Sequence, residues 1–468
     1  MMTFKIAYRN ILRNRRRSSM TLSAIAVGAV AMLLFGAFMS FLVLGFQTTT
    51  VRNVGHLSIF RAGYFAFGTG NPAAYGIADH QVLEQLITHD AVLGPLVKIA
   101  TPRVTLYGIA GNFDIDASKT FIGIGVVPAD REKMQAWNDY HLPGRSRQPS
   151  ALRDDDPTRG VIGIGMARIL GLCQPLGVTD CPTPPKLTAD AAPVAAPDAG
   201  IDLSELSQRD HDPAQSGTEP ALPRIDLLAA TAGGAPNIVS LNVAKAESQS
   251  VKELDDSFVG LHIALAQQLL YGRGTPKVTA IALQLFHTSD MTVARARLLE
   301  LFKAHNLDLE VRDFTELTPQ YNQVIGLFGS IFVFIAVIMA VIVLFTVVNT
   351  MTMSVMERTN EIGTARAMGV RRRGIHHQFL IEGCLLGLFG ATIGVLLAAV
   401  IAVLVNQAGL TWMPPGESSA IPLHLLISGV PALILGTWLG LIAMATVGAL
   451  LPANRAARMP IVDALRHV

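Results

Sequence analysis

The sequence predicts an α-helical polytopic membrane protein, with four transmembrane helices and a large α+β periplasmic domain between the first and second. Three observations carry this. Half of the 468 residues are hydrophobic and only 15% are charged, where soluble domains carry about 25% charged residues. Four runs are long and uncharged enough to cross a bilayer, which takes about 20 apolar residues. Arginines gather at the ends of those runs and are missing from one of the loops. The net charge of +2 gives no ground for nucleic-acid binding, and no basic run with interleaved aromatic residues is present. Three cysteines are too few for a disulfide framework.

The chain opens with "FKIAYRNILRNRRR", a segment assigned to residues 1–19. Phe4, Ala7, Tyr8, Ile11 and Leu12 share one helical face, and Lys5, Arg9 and Arg13 share another. This is the pattern of an amphipathic helix lying in the membrane interface; arginines that set topology without an ordered helix are the other reading. The first span covers 20–46. It is too long for a removable signal peptide and lacks a small-residue cleavage site, so it is expected to remain as an anchor. The other spans cover 322–356, 379–405 and 425–451.

Loop charges set the orientation. Arg15, Arg16 and Arg17 precede the first span, Arg358, Arg366, Arg371, Arg372 and Arg373 fall between the second and third, and Arg455, Arg458 and Arg466 follow the fourth. The short loop 406–424 has no Lys or Arg. The positive-inside rule then places both termini (1–19 and 452–468) and segment 357–377 in the cytoplasm, with 47–320 on the far side of an inner membrane.

Region 47–320 alternates two kinds of pattern. "VKIATPRVTLYGIAG", "KTFIGIGVV", "NIVSLNVAK" and "KVTAIALQLF" are rich in β-branched residues and read as strands. "DDSFVGLHIALAQQLL", with caps expected at Asp255 to Ser257, and "MTVARARLLELFKAHN", after Ser289 and Asp290, read as helices. The 54 residues from Thr183 to Pro236 hold eight prolines, twelve alanines and no aromatic residue. Such a stretch buries too little apolar surface to offset ordering entropy, so a weakly ordered insertion is expected there. It would divide the region into lobes 47–182 and 237–320. Just before it, Cys173 and Cys181 are a candidate disulfide on an oxidising side, worth about 2–3 kcal/mol at most for so small a loop; free thiols are equally compatible. Cys384, within the third span, reads as a small packing residue.

The stretch "MERTNEIGTARAMGVRRRGI" leaves the second span, carries both signs of charge, and returns to an apolar run. Glu357 and Glu361 are four apart, Arg358 and Arg366 lie elsewhere on the surface, and Ile362, Ala365, Ala367 and Met368 supply apolar contact. Gly363 and Gly369 allow close approach or end the helix. A short charged helix held by two spans suits docking into a cleft; a solvated connecting loop is the alternative. Gly383, Gly387, Gly390 and Gly394 line one helical face, for packing within the subunit or at a dimer seam. Glu382 pairs with an arginine of the loop or reaches the headgroups. Asp154, Asp155 and Asp156 read as a solvated turn, and His376 and His377 point about 100° apart on a helix, poor geometry for a shared metal. No catalytic constellation and no metal site is expected.

"ERTNEIGTARAMGVRRRGI" followed by "FLIEGCLLGLFGATIG" resembles the signature of the FtsX-like permease family of ABC transporters, through Glu357, Arg358, Glu361, Ile362, Gly363, Arg366, Ala367 and Gly369 and the later Glu382. The tail is similar to that family's closing pattern through Pro452, Ala456, Pro460, Ala464 and Leu465. "YRNILRNRRRSSMTLSAIAVG" and "GVIGIGMARILGL" resemble MacB-type and lipoprotein-releasing permeases, whereas the insertion departs from them. The resemblance implies two paired permease chains, in a homodimer or related heterodimer, above two cytoplasmic ABC ATPase subunits that dock on the segment opened by Glu357. ATP-driven closure would then move substrate outside the bilayer by mechanotransmission, with a periplasmic adaptor or chaperone and membrane lipid as further partners. No G-x-x-x-x-G-K-[ST] loop is present, and only the short segment 1–19 precedes the first span, so ATP and Mg are expected on a separate chain. The expected cargo is hydrophobic or amphipathic: lipoprotein, lipid, peptide or drug. A relay driving a periplasmic enzyme without transport is the alternative role.

Overall fold

The computed structural model describes residues 7, 9–10, 13, 15–142, 150–179, 181, 222–249, 252–412, 420–427 and 429–461. Helix α1 (Arg15–Val54) runs almost directly into strand β1 (Leu57–Arg61). Then follow α2 (His80–His89), β2 (Val97–Asn112), β3 (Ala117–Val126), α3 (Pro128–Gln135), β4 (Arg159–Gly163) and α4 (Ile164–Ile169). After the insertion come β5 (Arg224–Ala230), β6 (Pro236–Glu247), β7 (Phe258–His262), α5 (Ile263–Tyr271), β8 (Ala280–Leu285), α6 (Met291–Ala304) and β9 (Leu309–Asp313). The chain closes with α7 (Pro319–Glu357), α8 (Thr359–Ala367), α9 (Arg372–Gln407), the short strands β10 (Thr411–Trp412) and β11 (Ile421–Pro422), and α10 (Pro431–Arg458).

Helices α1, α7, α9 and α10 are long and apolar enough to cross a membrane. At 1.5 Å per residue the 40 residues of α1 and 39 of α7 extend about 60 Å, twice the roughly 30 Å hydrocarbon layer. Both therefore project beyond it into the α+β domain. The fourth span begins at Pro431 and not near 425, because residues 421–422 pair with 411–412. Proline suits the first helical turn, where an N–H has no partner.

The described strands of the domain form one nine-stranded sheet, ordered β3-β7-β4-β6-β5-β2-β8-β1-β9. This corrects the division at the insertion. The 16-residue β2 pairs with β8 through its first half and with β3 and β5 through its second. Strand β4, from before the insertion, pairs with β6 and β7 from after it. The chain thus builds β1 and half of β2, completes a second set of strands, and returns to add β8 and β9. Strand β5 also falls inside 183–236, the stretch expected to be weakly ordered: its inward Ile225, Leu227 and Ala229 join the main core. Residues 183–221 lie outside the described residues.

Asp255 likewise does not begin a helix. Its carboxylate accepts from Ile164 N and Gly165 N, at 3.1 and 2.8 Å, and so caps α4 across the fold. "FVGLH" is strand β7, and His262 caps α5 through Ala264 N. Valine in a buried central ladder overrode the helical period.

In the helical bundle the glycines of α9 lie against neighbours of the same subunit. A Cβ on Gly383 would sit 2.4 Å from the Ala449 Cβ of α10, and one on Gly394 at 2.4 Å from the Ala29 Cβ of α1. Gly387 meets Ala445, and Gly390 meets Ile25. Small residues let these helices approach where lipid supplies no hydrophobic drive.

Candidate functional site

Helix α8 occupies the turn between α7 and α9. Ile362 and Gly363 are buried, and Ile362 joins the same apolar cluster as Val347, Phe379 and Ala453 of the three neighbouring helices. At Gly369 the backbone is left-handed (φ 95°); its N–H donates to Arg366 O and Val370 N to Ala365 O, a closing turn that glycine makes without strain.

Charged residues fasten this turn to its neighbouring helices. Arg358 is 7% exposed. Its Nη1 donates to Glu382 Oε2 of α9 at 3.3 Å and its Nε to Glu361 Oε2 at 3.1 Å, with the guanidinium 5.6 Å over the Phe379 ring. Glu382 is also buried, so a pair of opposite charges is held out of water. Arg13 reaches Glu361 at 2.6 Å, and Arg17 grips both carboxylate oxygens of Glu357. Arg366 donates to Ala457 O near the end of α10 at 2.8 Å. Burial works to raise the Glu361 carboxyl, yet the hydrogen bonds from Arg13 and Arg358 hold it below the usual carboxylate range.

These contacts divide the residues singled out by their sequence pattern. Arg358, Ile362 and Gly363 are buried and half-buried Arg366 is tied to α10, so these four hold α8 in place. The outward face carries Glu361, Thr364, Ala367, Met368 and Val370, with Met368 75% exposed. Glu357 and Glu361 are exposed but already taken by Arg17 and Arg13. The charged face of the N-terminal segment from Lys5, together with Ala464, Leu465 and Arg466 of the tail, is not fully covered by the described residues.

The opposite ends of α1 and α7 meet at the sheet. Strand β1 leaves α1 through Gly55 (φ 81°), where a Cβ would stand 2.7 Å from Leu283 O. Strand β9 ends at Asp313, which caps the turn into α7 through Thr315 N and Glu316 N. β1 pairs with β9, with Leu57 opposite Asp313. Both projecting helices are therefore rooted in one antiparallel ladder, at the same end of it.

An aromatic block fills the junction: Phe46 stacks on Tyr321 (centroids 5.5 Å apart), Phe314 meets Tyr321 edge-on, and His56 lies edge-on to Trp137 at 4.9 Å. His56 is fully buried; its Nδ1 accepts from Leu285 N and its Nε2 pairs with Thr288 Oγ1. Burial pushes its pKa down to about 4 against the opposing pull of Asp139, so the ring is neutral. This junction had no sequence signal beyond an unremarkable "VGHLSIF". Cys173 and Cys181 are joined by a disulfide, with Cα atoms 6.3 Å apart.

Residues 333–461 match the family model of the FtsX-like permease C-terminal domain. Over 188 residues the chain is 30% identical to the macrolide export ATP-binding/permease protein MacB of Escherichia coli, covering 40% of this chain and 27% of that protein. Over 194 residues it is 30% identical to MacB of Neisseria gonorrhoeae, covering 41% and 28%. The chain thus spans about a quarter of the length of these relatives. Among solved structures, the periplasmic region of MacB from Actinobacillus actinomycetemcomitans aligns with 12% identity and a TM-score of 0.31, over 58% of this chain and 95% of that one. Residues 333–461 therefore form an FtsX-like permease domain, and over part of its length the chain is similar to MacB permeases.

Proposed function

We propose that this chain is the permease subunit of a MacB-like ABC transporter in a bacterial inner membrane, with both termini in the cytoplasm. A separate cytoplasmic ATPase that binds ATP and Mg docks on the outward face of α8. The permease works as a pair, and its cargo is hydrophobic or amphipathic, of the lipoprotein, lipid, peptide or drug kind. One observation carries this reading: α8 is an exposed handle with a rigid connection to the domain beyond the bilayer. Its Arg358 pins it to α9, and its root in α7 continues about 60 Å to the ladder that also receives α1. A push on α8 is therefore felt at β1 and β9.

The handle is tested at Met368, whose side chain is 75% exposed, so that its replacement is expected to leave the bundle intact. Met368→Asp sets an unpaired charge in the proposed interface, where an apolar anchor is often worth 2 kcal/mol or more. The expected outcome is at least tenfold weaker co-purification of the cognate ATPase, with unchanged membrane insertion. ATPase binding at wild-type strength would remove α8 as the docking element.

A further inference from the structure

Helix α10 turns one flank outward along its length, with Leu435, Leu439, Val447 and Leu451 each at least half exposed. In a membrane this flank faces lipid. It ends in a groove of about 640 Å³ whose lining includes Leu450, Leu451, Asn454, Arg455, Arg458 and Met459. The groove is apolar on the membrane side and cationic one to two turns further along. From Leu451 to Arg455 and Arg458 the helix rises about 6 and 10 Å, the separation between the upper acyl chain of a phospholipid and its phosphate.

The two guanidiniums share one groove with an apolar wall, unlike the exposed arginines at the start of α9, which line no groove with them. Arg13, Arg17, Arg358 and Arg366 are each paired with another group of the chain. Among the described residues, Arg455 and Arg458 form no ion pair, and both are exposed. One carbonyl at the end of α10, Ala457 O, accepts from Arg366 and not from either of them. Three residues apart, they stand about 60° from one another around the helix and can converge on one anion. Cations at a helix end do reach for headgroups in general; here two unpaired ones share a concave site with an apolar wall.

We infer that this groove binds one anionic phospholipid of the adjoining leaflet, its phosphate between Arg455 and Arg458 and an acyl chain along Leu450 and Leu451. The inference rests on the membrane crossing of α10, and not on the ATPase docking at α8, so lipid retention and ATPase co-purification fail separately. Bound lipid would fix the height of α10 in the bilayer and, through Ala457 and Arg366, the seat of α8.

The test uses the full chain in nanodiscs containing phosphatidylglycerol and phosphatidylcholine in equal parts, extracted into mild detergent, with retained lipid counted by native mass spectrometry. The wild type is expected to retain phosphatidylglycerol preferentially. R455Q/R458Q is expected to lose that preference by roughly thirtyfold, the factor that two cations near a surface contribute. R455K/R458K keeps the charge and the insertion signal, and is expected to keep most of the preference, which separates lipid binding from a folding or topology defect. Equal retention of both lipids by the wild type, or wild-type preference in R455Q/R458Q, would overturn the assignment. Loss of the preference in both double variants, with the wild-type elution profile, would overturn it as well, because the charge would then not be what binds.

Discussion

His56 shows how a single side chain at the junction sets a pH response. Its folded pKa, about 4, lies below its ordinary 6.5, so the unfolded chain binds the proton more readily. Its contribution is present above pH 6.5 and is lost as pH falls from 6.5 towards 4, about 3 kcal/mol in all. Glu84 acts in the opposite sense, since burial and then Asp130 push its carboxyl up to about 7; folded Glu84 holds its proton, and stability declines as pH rises through that range. The comparison that isolates His56 is therefore between the wild type and His56→Gln. Denaturation followed at pH 7 and pH 4.5 is expected to show a smaller pH loss in the variant, and equal losses would refute the assignment.

At the scale of elements, the seat of α8 on α9 depends on a buried ion pair, Arg358 with Glu382. Removing one partner leaves the other charge uncompensated, typically at a cost of 3–5 kcal/mol, whereas replacing both with apolar residues is often nearly neutral. Arg358→Met is expected to lower the unfolding midpoint in detergent substantially, and Arg358→Met/Glu382→Met to recover most of the loss. Additive effects in this cycle would mean that the two side chains act independently. The same pair fixes the orientation of Arg358, whose guanidinium is buried between two carboxylates and over the Phe379 ring.

At the scale of the whole molecule, the two longest helices, α1 and α7, both adjoin one ladder. Arginine-bearing ends of α1, α8 and α10 meet at one end of the bundle through Arg13–Glu361, Arg17–Glu357 and Arg366–Ala457, while the sheet lies at the other. If the positive-inside reading holds, Val370→Cys and Phe113→Cys, both at exposed sites, fall on opposite faces of the membrane. An impermeant maleimide is expected to label Phe113→Cys in spheroplasts and Val370→Cys only after permeabilisation. Labelling of both before permeabilisation would end the proposed orientation and the cytoplasmic docking together.

The spans, the strands of β2, β3, β6 and β8, and the short helix after Glu357 were legible in the sequence because each depends on local composition and period. The cap formed by Asp255 on α4, the strand at 224–230 and the partition of α8 into inward and outward faces were not. Each is settled by a neighbour far along the chain: β4 and β6 for the sheet, Glu382 and Arg13 for the coupling turn. Apolar length alone picked out the four helices that are long and apolar enough to cross a membrane. Only the tertiary structure decided that the two long helices enter one ladder and that Arg358 is a tether, since hydrogen bonding and burial between distant segments leave no periodic trace in either one.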